Sequence, residues 1–313
     1  MICQPMDILS QFPIRKTKEQ KLAFREAVCP YAEKLGYPVT VEEGKFGCRN
    51  VIFGNPEEAH YLVTAHYDTP ARSVIPNFCA PASFGLWIAR RFLSLALMAL
   101  IALVASAFTD NGWLIALAVI GTAACIDGLL LMGPANKNNV NDNSSGVITV
   151  LEIMKTLPQS QRHKVCFVLF DREEQGLVGS GQYRKAHKAA TEQQLVLNLD
   201  CVGDGDHIRM FPTKKLRQDR VKCTSLYAAC GYFGKKDILV HEKGFYRYAS
   251  DQNRFPYAVA VCALTRRKKL LYLSRIHTDK DTVLDINNVN LLRAALTSYI
   301  CRDASEIRKE MEK

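Results

Sequence analysis

Apolar residues in this chain fall into three patterns, and each predicts a different element. Two runs, Phe92–Phe108 and Trp113–Gly133, are long and nearly unbroken, with only the polar turn Thr109-Asp110-Asn111-Gly112 between them. Each approaches the ~20 residues that a helix needs to cross the hydrocarbon core of a bilayer. Shorter runs read as strands: Tyr37–Val41, Arg49–Phe53, Tyr61–Ala65, Val165–Phe170, Leu195–Leu199, Ile208–Phe211, Ile238–Val240, Tyr257–Leu264 and Leu270–Leu273. VCFVLF at 165–170 is apolar throughout, as a strand buried on both faces should be. The third pattern is helical spacing. It predicts helices over Lys18–Leu35, with Leu22, Phe24, Val28, Tyr31 and Leu35 inward, and over Val147–Leu157, Leu177–Ala190, Arg217–Gly231 and Asn288–Ile307.

Strands alternating with helices predict an α/β domain, a mainly parallel (mixed) central sheet flanked by helices. The apolar hairpin interrupts it. Residues 1–83 and 134–313 would form one discontinuous domain, and residues 84–133 an inserted transmembrane hairpin. With the hairpin in the bilayer, about 260 residues remain, enough for one core. Arg90-Arg91 precedes the first run and Lys137 follows the second, while the turn carries only Asp110. Basic flanks stay on the cytoplasmic side, so two spans in the cell membrane with a cytoplasmic catalytic domain are expected. Trp87 and Trp113 sit near the run ends, where aromatic residues anchor at the interface. The alternative is a soluble lid or dimer arm.

Composition narrows the setting. Met1–Lys21 is polar and has no apolar core segment, so no secretory signal is expected. Eleven cysteines are scattered with no C-x-x-C pair, which suits free thiols in a reducing compartment. The net charge is +10, concentrated in Lys214-Lys215, Arg217, Lys235-Lys236, Arg266–Lys269 and the tail Arg308–Lys313. That charge fits a solvated surface or attraction to anionic headgroups. The interleaved aromatics of a nucleic-acid platform are missing, so no nucleic-acid partner is expected.

The chemistry lies at the strand ends. His66, Glu173, Glu174 and Asp200 each follow an apolar run, where open α/β sheets bind their ligands. Each has an ordinary explanation alone. His66 and Asp68 could be a strand-end imidazole and a turn carboxylate, or a ligand and the carboxylate that orients it. Asp142 in NVNDNSSG could be a helix cap, or could bridge two ions. The adjacent carboxylates Glu173 and Glu174 repel each other and cost desolvation unless a cation offsets both. One could then ligate and the other take a proton. Asp200 closes LVLNLD, and His277 lies in RIHTDKDT. His60, His163, His187, His207 and His241 read as surface residues. Imidazole and carboxylate donors without thiolate suit zinc, with manganese or cobalt as substitutes. With one shared carboxylate, each of two ions would have three protein ligands, the layout of a two-metal hydrolase.

Six segments in this order resemble the co-catalytic zinc aminopeptidase family, which includes bacterial leucyl aminopeptidases, glutamate carboxypeptidases and glutaminyl cyclases. They are TAHYDTP, NDNSSGVITVLEIMK, VCFVLFDREEQGLVGSGQY, LVLNLDCVGDGD, the Ser250-Asp251 step and IHTDKDTVLDI. The resemblance implies two zinc ions per chain. His66 and Asp200 would hold one, Glu174 and His277 the other, and Asp142 would bridge them. It implies Glu173 as general base and Asp68 as the residue that orients His66. It implies an exopeptidase, foremost an aminopeptidase, acting on a peptide with a free amino terminus through a metal-bridging water; the apolar hairpin would make it membrane-tethered. The alternatives are a single-zinc cyclase-like acyltransferase and a non-catalytic receptor-like relative. The hairpin departs from the family, as do the Asp171-Arg172 charges and the cations Arg266–Lys269, which would favour acidic substrates or face lipid.

Overall fold

A computed structural model of the protein describes residues 2–73 and 78–302. Its strands are β1 (Val39–Glu43), β2 (Arg49–Phe53), β3 (Tyr61–His66), β4 (Val165–Phe170), β5 (Leu195–Leu199), β6 (His207–Pro212), β7 (Gly231–Phe233), β8 (Lys236–Val240), β9 (Ala258–Arg267) and β10 (Leu270–Tyr272). They form one sheet in the order β1-β2-β4-β3-β5-β9-β6-β8-β7, with β10 paired to β9. The centre, β4-β3-β5-β9, is parallel. The antiparallel pairs lie to either side. Every residue of β4 and β5 is buried, which is why their sequences carry no polar alternation.

Each sheet face has its own apolar layer. Val51, Val63, Phe167 and Leu197 pack with the helices Lys18–Lys34, Gly146–Thr156 and Ile286–Cys301. Leu62, Val168 and Val196 pack on the other side with Tyr183 and Phe255. The helix Lys18–Lys34 runs as its spacing predicts, with Thr17 and Gln20 closing a capping box. Its inner face differs in one respect. Leu22 is exposed, whereas Lys21, Phe24, Arg25, Val28, Tyr31 and Ala32 are buried. Two buried cations on that face have buried acceptors, described below.

Other boundaries shift for local reasons. The segment predicted as a helix over Arg217–Gly231 is two short helices, Lys214–Gln218 and Arg220–Ser225. Asp219 lies between them with non-helical backbone angles and caps the second through the Lys222 N–H. Gly231 opens β7, which hydropathy did not predict. The helix predicted to Ile307 ends at Cys301, and residues beyond 302 lie outside those described. All eleven cysteines are free.

Two helices are long and apolar enough to cross a membrane, Phe84–Ser106 and Gly112–Met132, and no part of either apolar window is buried. At 1.5 Å per residue they extend roughly 35 and 32 Å. Ser83 and Asn111 cap them through the Leu86 and Trp113 N–H groups. The first starts two turns before the apolar run. Those turns dock on the sheet domain, where Phe84 and Trp87 pack on Phe245 at 5.2 and 5.7 Å between ring centroids.

Candidate metal centre

The seven residues singled out in the sequence converge at the carboxyl ends of the parallel strands. His66 closes β3, Glu173 and Glu174 follow β4, and Asp200 follows β5. Asp142 lies just before the helix Gly146–Thr156, and His277 lies in the loop after β10. Three sets of donor atoms each fall within 4.8 Å of one another: His66, Asp142 and Asp200; Asp142, Glu174 and His277; and His66, Glu173 and Glu174. The first two sets share Asp142. Its Oδ1 lies 3.2 Å from His66 Nε2, and its Oδ2 lies 3.0 Å from His277 Nε2. Asp200 Oδ1 is 3.8 Å from His66 Nε2, and Glu174 Oε2 is 3.5 Å from His277 Nε2.

Asp68 is bound up with two of these groups. Its carboxylate lies 3.5 Å from His66 Nδ1 and accepts the backbone N–H groups of Glu173 and Glu174 at 3.0 and 3.3 Å. One side chain therefore steadies both an imidazole and the paired-glutamate turn. Gly179 lets that turn fold back, since a Cβ there would meet the Asp171 carbonyl oxygen at 2.2 Å.

The polar stretch around Asp142 is fastened group by group. Asp281 accepts the N–H groups of Asn141 and Asp142 at 2.7 and 3.0 Å. Asn143 donates to the Leu199 carbonyl at 2.9 Å and accepts from Gly146 and Cys201. Asn141 accepts from Gly203 at 2.7 Å. The Asp142 loop is thus tied to the segment that carries Asp200. Gly146 is required for this approach, because a Cβ would lie 2.4 Å from Asn143 Oδ1 and 2.5 Å from the Leu199 carbonyl oxygen.

Two cations from the polar start of the chain lie beneath the site. Arg15 is fully buried, donating to the Tyr67 carbonyl at 2.5 Å and to Ser144 Oγ at 3.1 Å. Lys21 pairs with Asp171 at 2.5 Å. Asp171 therefore faces a lysine of the first long helix. Arg15 and Lys21 escaped the sequence reasoning because each acts from a distant segment without a motif of its own, and Asp281 because nothing in IHTDKDTVLDI marks which carboxylate turns back to the Asp142 loop. Two of the other histidines do have carboxylate partners, away from this site: His187 with Glu42 and Glu57, and His207 with Asp237.

The electrostatics favour a cation. Burial pushes the Glu174 carboxyl up to about 8 against the pull of His277, and it pushes Glu173 well above the carboxylate range. Burial works against the His277 cation, but Glu174 and Asp142 raise it to about 9. Burial also opposes the His66 cation, and Glu173 foremost raises it. Burial raises Asp142, yet the two imidazoles take it below its usual range. Asp200 Oδ1 is buried with no hydrogen-bond partner. A buried carboxylate oxygen left unpaired beside the His66 imidazole fits a metal ligand.

The metal-free protein should lose stability as pH rises. Glu174 and His277 hold protons in the fold above their unfolded values of about 4.3 and 6.5. In that range the unfolded chain binds fewer protons, so stability falls as pH rises, for Glu174 up to about 8 and for His277 up to about 9. Chelated protein should therefore melt lower at pH 8.5 than at pH 6.5. Two equivalents of zinc should oppose that trend, because its ligands bind deprotonated. A melting temperature that rises with pH in the chelated protein would contradict this.

The sequence over residues 123–299 matches the model of peptidase family M28, more than half of the chain. The chain belongs to peptidase family M28. The matched span of this M28 chain includes Asp142, Glu173, Glu174, Asp200 and His277. His66 and Asp68 precede it, on the far side of the hairpin.

Two solved structures with TM-scores above 0.5 share the fold, and a third is similar over part of its length. The Legionella pneumophila LapA aminopeptidase is 14% identical with a TM-score of 0.55, over 95% of this chain and 69% of that one. Macrostomum lignano glutaminyl cyclase is 11% identical with a TM-score of 0.55, over 94% and 87%. BSAP, a zinc aminopeptidase from Bacillus subtilis, is 17% identical with a TM-score of 0.47, over 82% of this chain and 52% of that one. No curated protein sequence matches the chain.

A cavity of about 230 Å³ opens on the cluster. A larger one, about 700 Å³, lies at the opposite ends of β3 and β5, near Tyr61 and Leu195. None of the three donor sets lines that larger cavity, so chemistry rather than size marks the site.

Proposed function

We propose that this chain is a membrane-tethered, zinc-dependent exopeptidase, and specifically an aminopeptidase. The observation that carries the proposal is the two-sided Asp142 carboxylate, one oxygen toward His66 and the other toward His277. His66, Asp200 and Asp142 would hold one zinc ion, and Glu174, His277 and Asp142 a second. Bound there, zinc supplies Lewis acidity toward a peptide carbonyl and makes water acidic near neutral pH.

The chain's own residues do the rest. Glu173 is the general base. Its side-chain oxygen takes the proton of the attacking water and returns it to the departing amine. Asp68 keeps the His66 ring and the Glu173 backbone in register. Burial of the surrounding strands keeps bulk water from the carboxylates and strengthens these interactions. The glutaminyl cyclase shares the fold, so a single-zinc acyltransferase is the second reading. Five candidate ligands with a shared carboxylate favour two ions over one.

Tethering is supported by two exposed apolar helices set in the middle of the chain. The basic residues at their bases favour a cytoplasmic catalytic domain. The test joins both parts. Full-length protein should resist carbonate extraction from membranes, carry two zinc ions by elemental analysis, and hydrolyse aminoacyl substrates but not amino-blocked ones. One zinc with cyclisation of glutaminyl peptides would favour the second reading. Recovery in the soluble fraction without detergent would remove the tether.

A further inference from the structure

The catalytic cavity is lined by a residue of the hairpin. Arg90, on the helix Phe84–Ser106, borders it together with Asp142, Asp200 and His277. A second cavity, about 470 Å³, continues from it at the base of the hairpin. The two share Cys79, Arg90 and Ala249 as lining residues, so Arg90 stands at their junction. The second volume falls in the range of about 300–1,000 Å³ typical of ligand pockets.

Its walls are aromatic and cationic. Trp87 packs on Phe84 and Phe245, with Arg91 and Arg247 over its ring at 5.6 and 5.9 Å. Arg91 and Arg247 thus have a π-face as partner. Arg90 has no such face and, among the described residues, no carboxylate within 4.0 Å. The other cation cluster that could meet a substrate does not. Arg266 and Arg267 end β9, Lys268 and Lys269 form its turn to β10, and none of the four lines either cavity. A guanidinium at the mouth of a peptidase cleft, with donors unspent, matches a carboxylate in a two-pronged pair.

We propose that Arg90 makes this second cavity an anion subsite of the catalytic cleft, so that the hairpin itself selects substrates bearing a carboxylate. This rests on the peptidase reading above. The carboxylate has two sources, an acidic N-terminal side chain or the free carboxyl end of a short peptide. Arg90 acts in specificity; it supplies neither a metal ligand nor a proton.

The experiment uses zinc-loaded, full-length protein in neutral detergent and two matched pairs. Glutamyl and glutaminyl p-nitroanilides differ in side-chain charge. Leucyl-glycine and leucyl-glycinamide differ in the terminal carboxylate. In at least one pair the anionic member should have a kcat/KM higher by about tenfold or more, the size of a charged hydrogen bond. Arg90→Gln should bring that ratio near one, and Arg90→Lys should keep part of it. Which pair responds names the source. A ratio near one in both pairs, or one that survives Arg90→Gln, overturns the proposal.

A binding readout separates this from the peptidase reading. The chain has two tryptophans, so Trp113→Phe leaves Trp87 as the reporter in the cavity wall. Titration with glutamate and with leucyl-glycine should change its fluorescence, and Arg90→Gln should remove the response. Binding without hydrolysis would keep the subsite and discard the peptidase. No response to either probe overturns the subsite.

Discussion

Glu173→Gln should lower kcat by roughly two to four orders of magnitude, the usual size of a general-base effect. Glutamine keeps the shape of the side chain and the backbone N–H that Asp68 accepts at 3.0 Å. It cannot accept the proton. Fold and zinc content should therefore stay as they are, which distinguishes this change from Glu174→Gln. Glu174 sits 3.5 Å from the His277 imidazole, so its replacement should weaken metal retention first. The check is turnover with a chromogenic substrate alongside elemental analysis on the same preparations. Near-wild-type turnover in Glu173→Gln would mean that another group takes the proton.

Asp142→Ala should do broader damage than the loss of any single-ion ligand. The carboxylate belongs to both donor sets, so one substitution removes a ligand from each. After mild chelation the variant should retain less than one zinc per chain and no measurable activity. Asp200→Ala should keep more of the metal, because only one donor set includes Asp200. The surrounding loop should persist in Asp142→Ala, since Asp281 holds its backbone N–H rather than its side chain. Two tightly held zinc ions in the Asp142 variant would rule out a bridging role.

Much of this architecture was legible in the sequence, and the exceptions have physical causes. VCFVLF and LVLNL are buried on both faces, so their apolar runs mark strands without ambiguity. The carboxylates and imidazole that follow such runs stand out because a charge there needs a partner. β7 was invisible because it is a three-residue edge strand with Tyr232 and Phe233 facing out. Leu22 fits the apolar spacing of that helix, but Lys21 and Arg25 take the inner face, paired with Asp171 and the Tyr67 hydroxyl. Hydropathy counts such cations as surface because it cannot see an acceptor 150 residues away. The supports of Asp142 are hidden for the same reason, since Asp281 reaches it across 139 positions. Arg90 shows a different limit. In the sequence it is one of two basic residues flanking an apolar run, and only the fold brings it to the catalytic cavity.

The position of the hairpin also fixes the order in which this domain can be built. β3 lies in the middle of the sheet, and both of its neighbours, β4 and β5, come from beyond the apolar helices. During synthesis Tyr61 waits for Val165, roughly 100 residues later, or about 5–20 s at ordinary elongation rates. Throughout that interval LVTA emerges with both backbone edges unpaired, ahead of two strongly apolar segments. Residues 1–83 therefore cannot form a stable nascent unit, and the hairpin is made before its host domain can close. Membrane insertion of the hairpin would precede assembly of the metal centre, so His66 and Asp68 would meet their partners only in a chain already anchored.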